Sequence, residues 1–132
     1  MIVDSSALVA IIFDEPERAS FLAAIAAADR TYLSAASYVE LCAVIDGRGD
    51  PVLSRQVDRL LEHLSITITD LTVEQAHRAR RAYRDFGRGS GHPAALNLGD
   101  CFTYALATSR DEPLLFKGDD FGHTDVRTPP II

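Results

Sequence analysis

A chain of 132 residues that is 47% hydrophobic, with six Phe, four Tyr and no Trp, has the size and apolar content of one folded domain with a real core, which excludes disorder. Its formal net charge of -6 argues against a general nucleic-acid-binding surface, and its longest apolar runs are far too short to span a bilayer. No charged, apolar, small-residue leader precedes Asp4, so a cytoplasmic location and no membrane are expected.

Met1-Ile2-Val3-Asp4-Ser5-Ser6 opens as a β-branched apolar strand that stops at Asp4. Ser5 or Ser6 is placed to cap a helix beginning at Ala7, with Ala7, Leu8, Ile11 and Ile12 at helical spacing. Asp14-Glu15-Pro16 breaks it and starts a second helix, with Pro16 in the first turn and Phe21, Leu22 and Ile25 on one side, running to about Ala28. Thr31-Tyr32-Leu33 is the second strand. Ser34-Ala35-Ala36-Ser37 offers caps for a third helix through Ile45, which Gly47 and Gly49 end. Pro51 opens a fourth helix with Val52, Val57, Leu60, Leu61 and Leu64 inward. Residues 65–70 alternate with period two and form the third strand. Thr72, with Glu74 or Gln75 near the third helical position, caps a fifth helix to about Phe86. The loop 87–93 lacks the Gly-Lys-Ser/Thr of a phosphate loop. Gly99 precedes a sixth helix over 100–109, residues 113–116 are the fourth strand, 118–121 a turn and 125–127 a last short strand. Strands alternating with helices predict a single α/β domain over 1–132, a central parallel sheet flanked by helices.

Cys42 and Cys101 lie in apolar helical stretches, as buried reduced thiols do. His63, His77, His92 and His123 form no pair at zinc-site spacing.

The acids carry more. Asp4 stands where a buried strand becomes a helix, at the sheet edge where open α/β folds bind ligands. Glu40 is the only charged residue between Leu33 and Ile45, in a helix apolar nearly all round and therefore expected to be buried. Asp100 is the only acid or base from Pro93 to Ser109, in a helix's first turn, where negative charge is favoured. Asp119 and Asp120 follow the fourth strand. Taken singly, each has a plain alternative: a cap, an internal ion pair, a turn acid. Brought together at one sheet edge, they would repel one another until a divalent cation entered. Hard oxygen donors without His or Cys select magnesium, or manganese, over zinc, which points to metal-dependent phosphodiester cleavage. A basic run, Arg78, Arg80, Arg81, Arg84 and Arg88, is broken only by Asp85 and can hold RNA backbone, serve a partner, or be a solvated helix face.

Residues 2–8, Ile-Val-Asp-Ser-Ser-Ala-Leu, resemble the opening of PIN domains, and Glu40 in Ser37-Tyr38-Val39-Glu40-Leu41 resembles their second acid. Residues 96–107, Leu-Asn-Leu-Gly-Asp-Cys-Phe-Thr-Tyr-Ala-Leu-Ala, and 113–121, Pro-Leu-Leu-Phe-Lys-Gly-Asp-Asp-Phe, closely resemble VapC toxins of VapBC toxin–antitoxin systems. The resemblance spans nearly the whole chain. It implies a PIN-fold endoribonuclease using Asp4, Glu40, Asp100 and Asp119 with Mg2+. It also implies a VapB-type antitoxin that wraps the toxin and covers the acidic site, a homodimer, and toxin–antitoxin hetero-oligomers. The fourth acid is doubled: counting from Gly118 selects Asp119, which is preferred, and counting back from Phe121 selects Asp120. Asp4 and Asp100 would hold the principal ion, Glu40 and Asp119 waters or a second one. Ser6 would orient Asp4 or merely cap, and Arg80, Arg81, Arg84 and Arg88 would contact RNA or antitoxin. Cleavage would leave a 3′-hydroxyl and a 5′-phosphate.

Two other classes compete. A phosphoacceptor receiver domain would use Asp70 and Lys117, but pairs two acids after its first strand, where only Asp4 stands here. A non-catalytic acidic module would grip a basic partner and show no response to magnesium.

Overall fold

The computed structural model describes residues 1–130; the final two positions of the domain expected over 1–132 lie outside the described residues. Four short strands, β1 (Ile2–Val3), β2 (Thr31–Ser34), β3 (Ile66–Thr69) and β4 (Leu114–Leu115), pair in parallel in the order β3-β2-β1-β4. The chain winds outward from β1 to β3, then returns to place β4 on the other side of β1. A parallel sheet that reverses direction in this way opens a crevice at the C-terminal ends of the strands flanking the reversal.

Side-chain alternation splits the core in two. Val3 and Leu115 face α1 (Ser5–Ile12), α2 (Arg18–Ala27), α3 (Ala35–Asp46) and α4 (Pro51–His63). Ile2 and Leu114 face α5 (Val73–Phe86) and α6 (Leu98–Arg110). Ile2, Val3 and Leu114 are fully buried, each contributing about 1.5–3 kcal/mol through lost apolar exposure. Two-residue strands thus suffice, because both faces of each are covered.

The element order follows the sequence reading, with local corrections. Asp4 itself caps α1, accepting from the Ser6 amide, so the helix starts at Ser5 and neither serine is the cap. Pro16 precedes α2 by a turn, outside its first turn, and Glu17 makes no side-chain cap bond. Val52 is exposed in the first turn of α4, where the helix has not yet met the core that Val57 and Leu61 enter. Thr72 caps α5 by accepting from the Gln75 amide; the reciprocal capping box lies instead on α6, between Asn97 and Asp100. That box moves the start of α6 to Leu98. Residues 120–123 form a 3-10 helix after the Gly118 turn. Residues 125–127 form no strand: one bond, Leu114 N–H to the Arg127 carbonyl at 2.8 Å, lies against β4 without continuing as a ladder. Cys42 and Cys101 are free thiols, Cys101 fully buried. Among the described residues no helix is long and apolar enough to cross a membrane.

Candidate active site

The crevice at the sheet reversal is an open cleft of about 520 Å³ whose walls include Asp4, Ser5, Ser6, Glu40, Asp100 and Lys117. Three acids from β1, α3 and α6, separated by tens of residues in sequence, therefore meet in one place.

Asp4 arrives by ending β1. Its amide completes the sheet by donating to the Leu115 carbonyl at 2.9 Å, so the backbone is pinned where the side chain turns into the cleft. The carboxylate is 3% exposed and both oxygens are held. Oδ2 accepts from the Ser6 amide at 3.0 Å and Oδ1 from the Thr103 hydroxyl at 2.7 Å. Thr103, buried on α6, has spent its proton on Asp4, so Ser37 donates to it across 3.0 Å. A chain of two hydroxyls from α3 and α6 thus fixes the carboxylate from behind. The Ser6 contribution is corrected in kind: its amide serves Asp4, while its hydroxyl accepts from the Lys117 amide at 3.0 Å. Ser6 therefore ties β1 to the segment after β4.

Glu40 is half-buried. The expectation that α3 is buried all round does not hold. One face, Ser37, Leu41 and Ile45, packs on the core, while Val39 and Val44 are exposed. Glu40 sits at the border, where it reaches the cleft. Ser5 donates to its Oε1 at 2.7 Å. A Cβ built on Gly99 would lie 1.8 Å from Glu40 Oε2, so the carboxylate occupies the space a side chain at 99 would fill. That space adjoins the first turn of α6, where free amides and the helix dipole favour negative charge.

Asp100 is at the third position of α6. Its Oδ2 accepts from the Asn97 amide at 3.0 Å and its own amide donates to Asn97 Oδ1 at 2.8 Å. The box orients the side chain and leaves Oδ1 without a hydrogen bond among the described residues. Burial first, and then the charges of Asp4, Asp120 and Glu40, raise the Asp100 carboxyl from 3.8 to about 7 against the pull of the Asn97 amide. The site thus holds more negative charge than it can keep ionised unaided.

Asp119 and Asp120 are both exposed, just past β4. Gly118, at φ +104, turns the chain, and Asp119 caps the 3-10 helix without a side-chain bond. Of the pair, Asp120 is the one whose charge is felt at Asp100.

No three acids close into a tight cage among the described residues. Magnesium dehydrates reluctantly and takes one or two carboxylates, water and substrate phosphate, whereas a dehydrated cage would suit calcium. The oxygen-only donor set, the open cleft and the raised proton affinity of the Asp100 carboxyl fit a hydrated divalent cation.

Arg80, Arg81, Arg84 and Arg88 are exposed along and just beyond α5. Arg84 pairs with Asp85 and Arg78 with Glu74, while Arg80, Arg81 and Arg88 form no ion pair among the described residues. Asp70 follows edge strand β3 and is exposed, away from the cleft lining. The sequence reading passed over Ser5, Ser37, Asn97, Gly99 and Thr103. The signal available for Thr103 was its spacing, one turn after Asp100 on the same helix.

The PIN domain family model matches residues 1–127. Ribonuclease VapC28 of Mycobacterium tuberculosis is 56% identical over 127 residues, 96% of each chain. Ribonuclease VapC42 of the same species is 52% identical over 96% of this chain and 97% of that one. Among solved structures, M. tuberculosis VapC20, described as a sarcin-ricin loop cleaving toxin, superposes with a TM-score of 0.74 at 14% identity over 98% of each chain. A toxin–antitoxin complex from Klebsiella pneumoniae matches with a TM-score of 0.69 at 20% identity, covering 99% of this chain and 98% of that one.

Proposed function

We propose, from the premise that this chain belongs to the PIN-domain family and is a VapC-type ribonuclease toxin, that it cleaves RNA endonucleolytically with a divalent cation held in the β1–α3–α6 cleft. The observation that carries this is the meeting of Asp4, Glu40 and Asp100 around one cleft, where burial and neighbouring negative charge raise the Asp100 carboxyl to about 7.

The residues divide the work. Asp4, immobilised through both oxygens, and Asp100, with Oδ1 free, would hold Mg2+ or Mn2+ directly or through water. Glu40, seated by Ser5 against Gly99, would orient water in the same cleft. The fourth acid is drawn from Asp119 and Asp120; its effect on Asp100 favours Asp120. The bound cation would supply charge neutralisation at the scissile phosphate and acidify a water for in-line attack. Attack by that water with cleavage of the P–O3′ bond would leave a 3′-hydroxyl, which takes up the proton, and a 5′-phosphate. The free arginines of α5 and the following loop hold the RNA backbone electrostatically. A VapB-type antitoxin is the expected regulator, covering this cleft within a toxin homodimer and larger toxin–antitoxin assemblies.

The purified chain is expected to cut RNA with Mg2+ or Mn2+, to stop with EDTA, and to lose cleavage in Asp100→Asn while remaining folded by circular dichroism. RNA cleavage by Asp100→Asn at the parent rate overturns the assignment. A metal-indifferent protein without nuclease activity would instead be the acidic binding module.

A further inference from the structure

The cleft that must receive a polyanion is walled by carboxylates, and among the described residues only one cation lines it. Lys117 follows β4 at the mouth of the cleft, and its amide donates to Ser6 Oγ at 3.0 Å, two residues from Asp4. The backbone of Lys117 is thus fixed beside the acidic centre, while its ammonium is held at the α1–α2 edge of the same cleft, which Glu15 also lines. Nζ pairs with Glu15 and lies 3.2 Å from Glu17, on the segment between α1 and α2. All three side chains are about one-third exposed. Ion pairs this wet are weak and exchange readily for a better anion.

Resting on the nuclease reading above, we propose that Lys117 is a substrate-binding residue: it leaves Glu15 and Glu17 to bind a phosphate of the RNA strand entering the cleft. The chemistry asks for such a group. A phosphodiester approaching Asp4, Glu40 and Asp120 meets repulsion that one hydrated cation only partly offsets. An ammonium on a flexible four-carbon stem, anchored beside the site, supplies a movable counter-charge. Glu15 and Glu17 hold it in the absence of RNA, when a free lysine would otherwise pair with the metal-binding carboxylates. The competing account is that Lys117 only fastens the α1–α2 connection through those two acids.

Initial rates on a random-sequence single-stranded RNA oligomer in Mg2+ separate the two. Lys117→Gln is expected to raise KM about five- to tenfold with kcat within a factor of two, and to flatten the dependence of log kcat/KM on log salt by about 0.7, the loss of one phosphate contact on a single strand. Lys117→Arg restores both. Glu15→Gln/Glu17→Gln, which frees the ammonium, lowers KM. A fastening role gives another pattern: the double glutamine variant then loses activity and melting temperature together with Lys117→Gln. Either that pattern, or a Lys117→Gln protein with the parent's KM and salt slope, overturns the proposal. A parent chain that cuts no RNA under any metal condition overturns the nuclease reading itself, which is a separate outcome.

Discussion

Neutralising one acid of the cleft should make the metal-free protein more stable. Burial and the surrounding carboxylates hold the Asp100 carboxyl near 7 rather than 3.8. An acid whose folded value is raised weakens the fold wherever it must ionise. The cost is absent below about pH 4, where both states are protonated, grows between 4 and 7, and is complete above 7. The gap between the two values corresponds to at most ~4 kcal/mol at about 1.36 kcal/mol per pH unit. Asp100 is only half-buried, so solvent screening reduces this to about 1–2 kcal/mol. Asn at this position keeps an oxygen to accept from the Asn97 amide, so the capping box survives. Asp100→Asn is therefore expected to melt about 4–8 °C above the parent at pH 8 in EDTA, taking ~4 °C per kcal/mol for a chain of this length. The advantage should shrink to about a third at pH 5. Added Mg2+ should raise the parent's melting temperature by mass action and leave the variant unmoved. Equal melting temperatures at pH 8 without metal, or a variant stabilised equally at both pH values, would refute the reasoning.

The supporting contacts give further tests. Thr103→Val removes the donor to Asp4 Oδ1 and the acceptor for Ser37; it should cost about 1–3 kcal/mol of stability by denaturant melts and about 10–100-fold in metal affinity or rate, whereas an unchanged rate would make this hydroxyl chain merely structural. Gly99→Ala puts a methyl where Glu40 Oε2 now lies, so cleavage should fall at least about tenfold with the circular dichroism spectrum intact; normal activity would mean that Glu40 works from a different position. Comparing Asp119→Asn with Asp120→Asn by kcat in Mg2+ identifies the fourth acid: the larger loss is expected at Asp120, and a larger loss at Asp119 would return the assignment to the preceding residue.

The parallel α/β frame was readable because each strand is a short apolar run and each helix has its own punctuation, such as Pro51 for α4 and Thr72 for α5. Solitary charges in apolar surroundings pointed to Glu40 and Asp100. Both acids are half-buried and line the cleft, but Glu40 was reached by a premise that fails, since α3 exposes Val39 and Val44. A one-dimensional pattern cannot tell a helix covered on all sides from one with a bare apolar face. The neighbours that aim the acids were invisible for a related reason. Ser5, Ser37, Thr103 and Gly99 are ordinary small residues whose importance arises only when α3 and α6 approach across the end of β1. Asp119 and Asp120 are equivalent in composition, and only the Gly118 turn and the 3-10 helix that follows it distinguish them.

Asp4 closes a strand, opens a helix and faces the cleft with one carboxylate. Two ways of silencing the protein therefore carry opposite structural penalties. An Ala at position 4 forfeits a helix cap worth about 1 kcal/mol and leaves the Thr103 hydroxyl without its acceptor, so the inactive product is also a more fragile one, exposed to proteolytic clearance. If Asp100 acts as proposed, neutralisation at position 100 would yield an inert chain that persists and can still compete for whatever binds the intact molecule. Spontaneous disarming at the two sites would thus leave different cellular traces, one by removing the polypeptide and the other by preserving a harmless decoy.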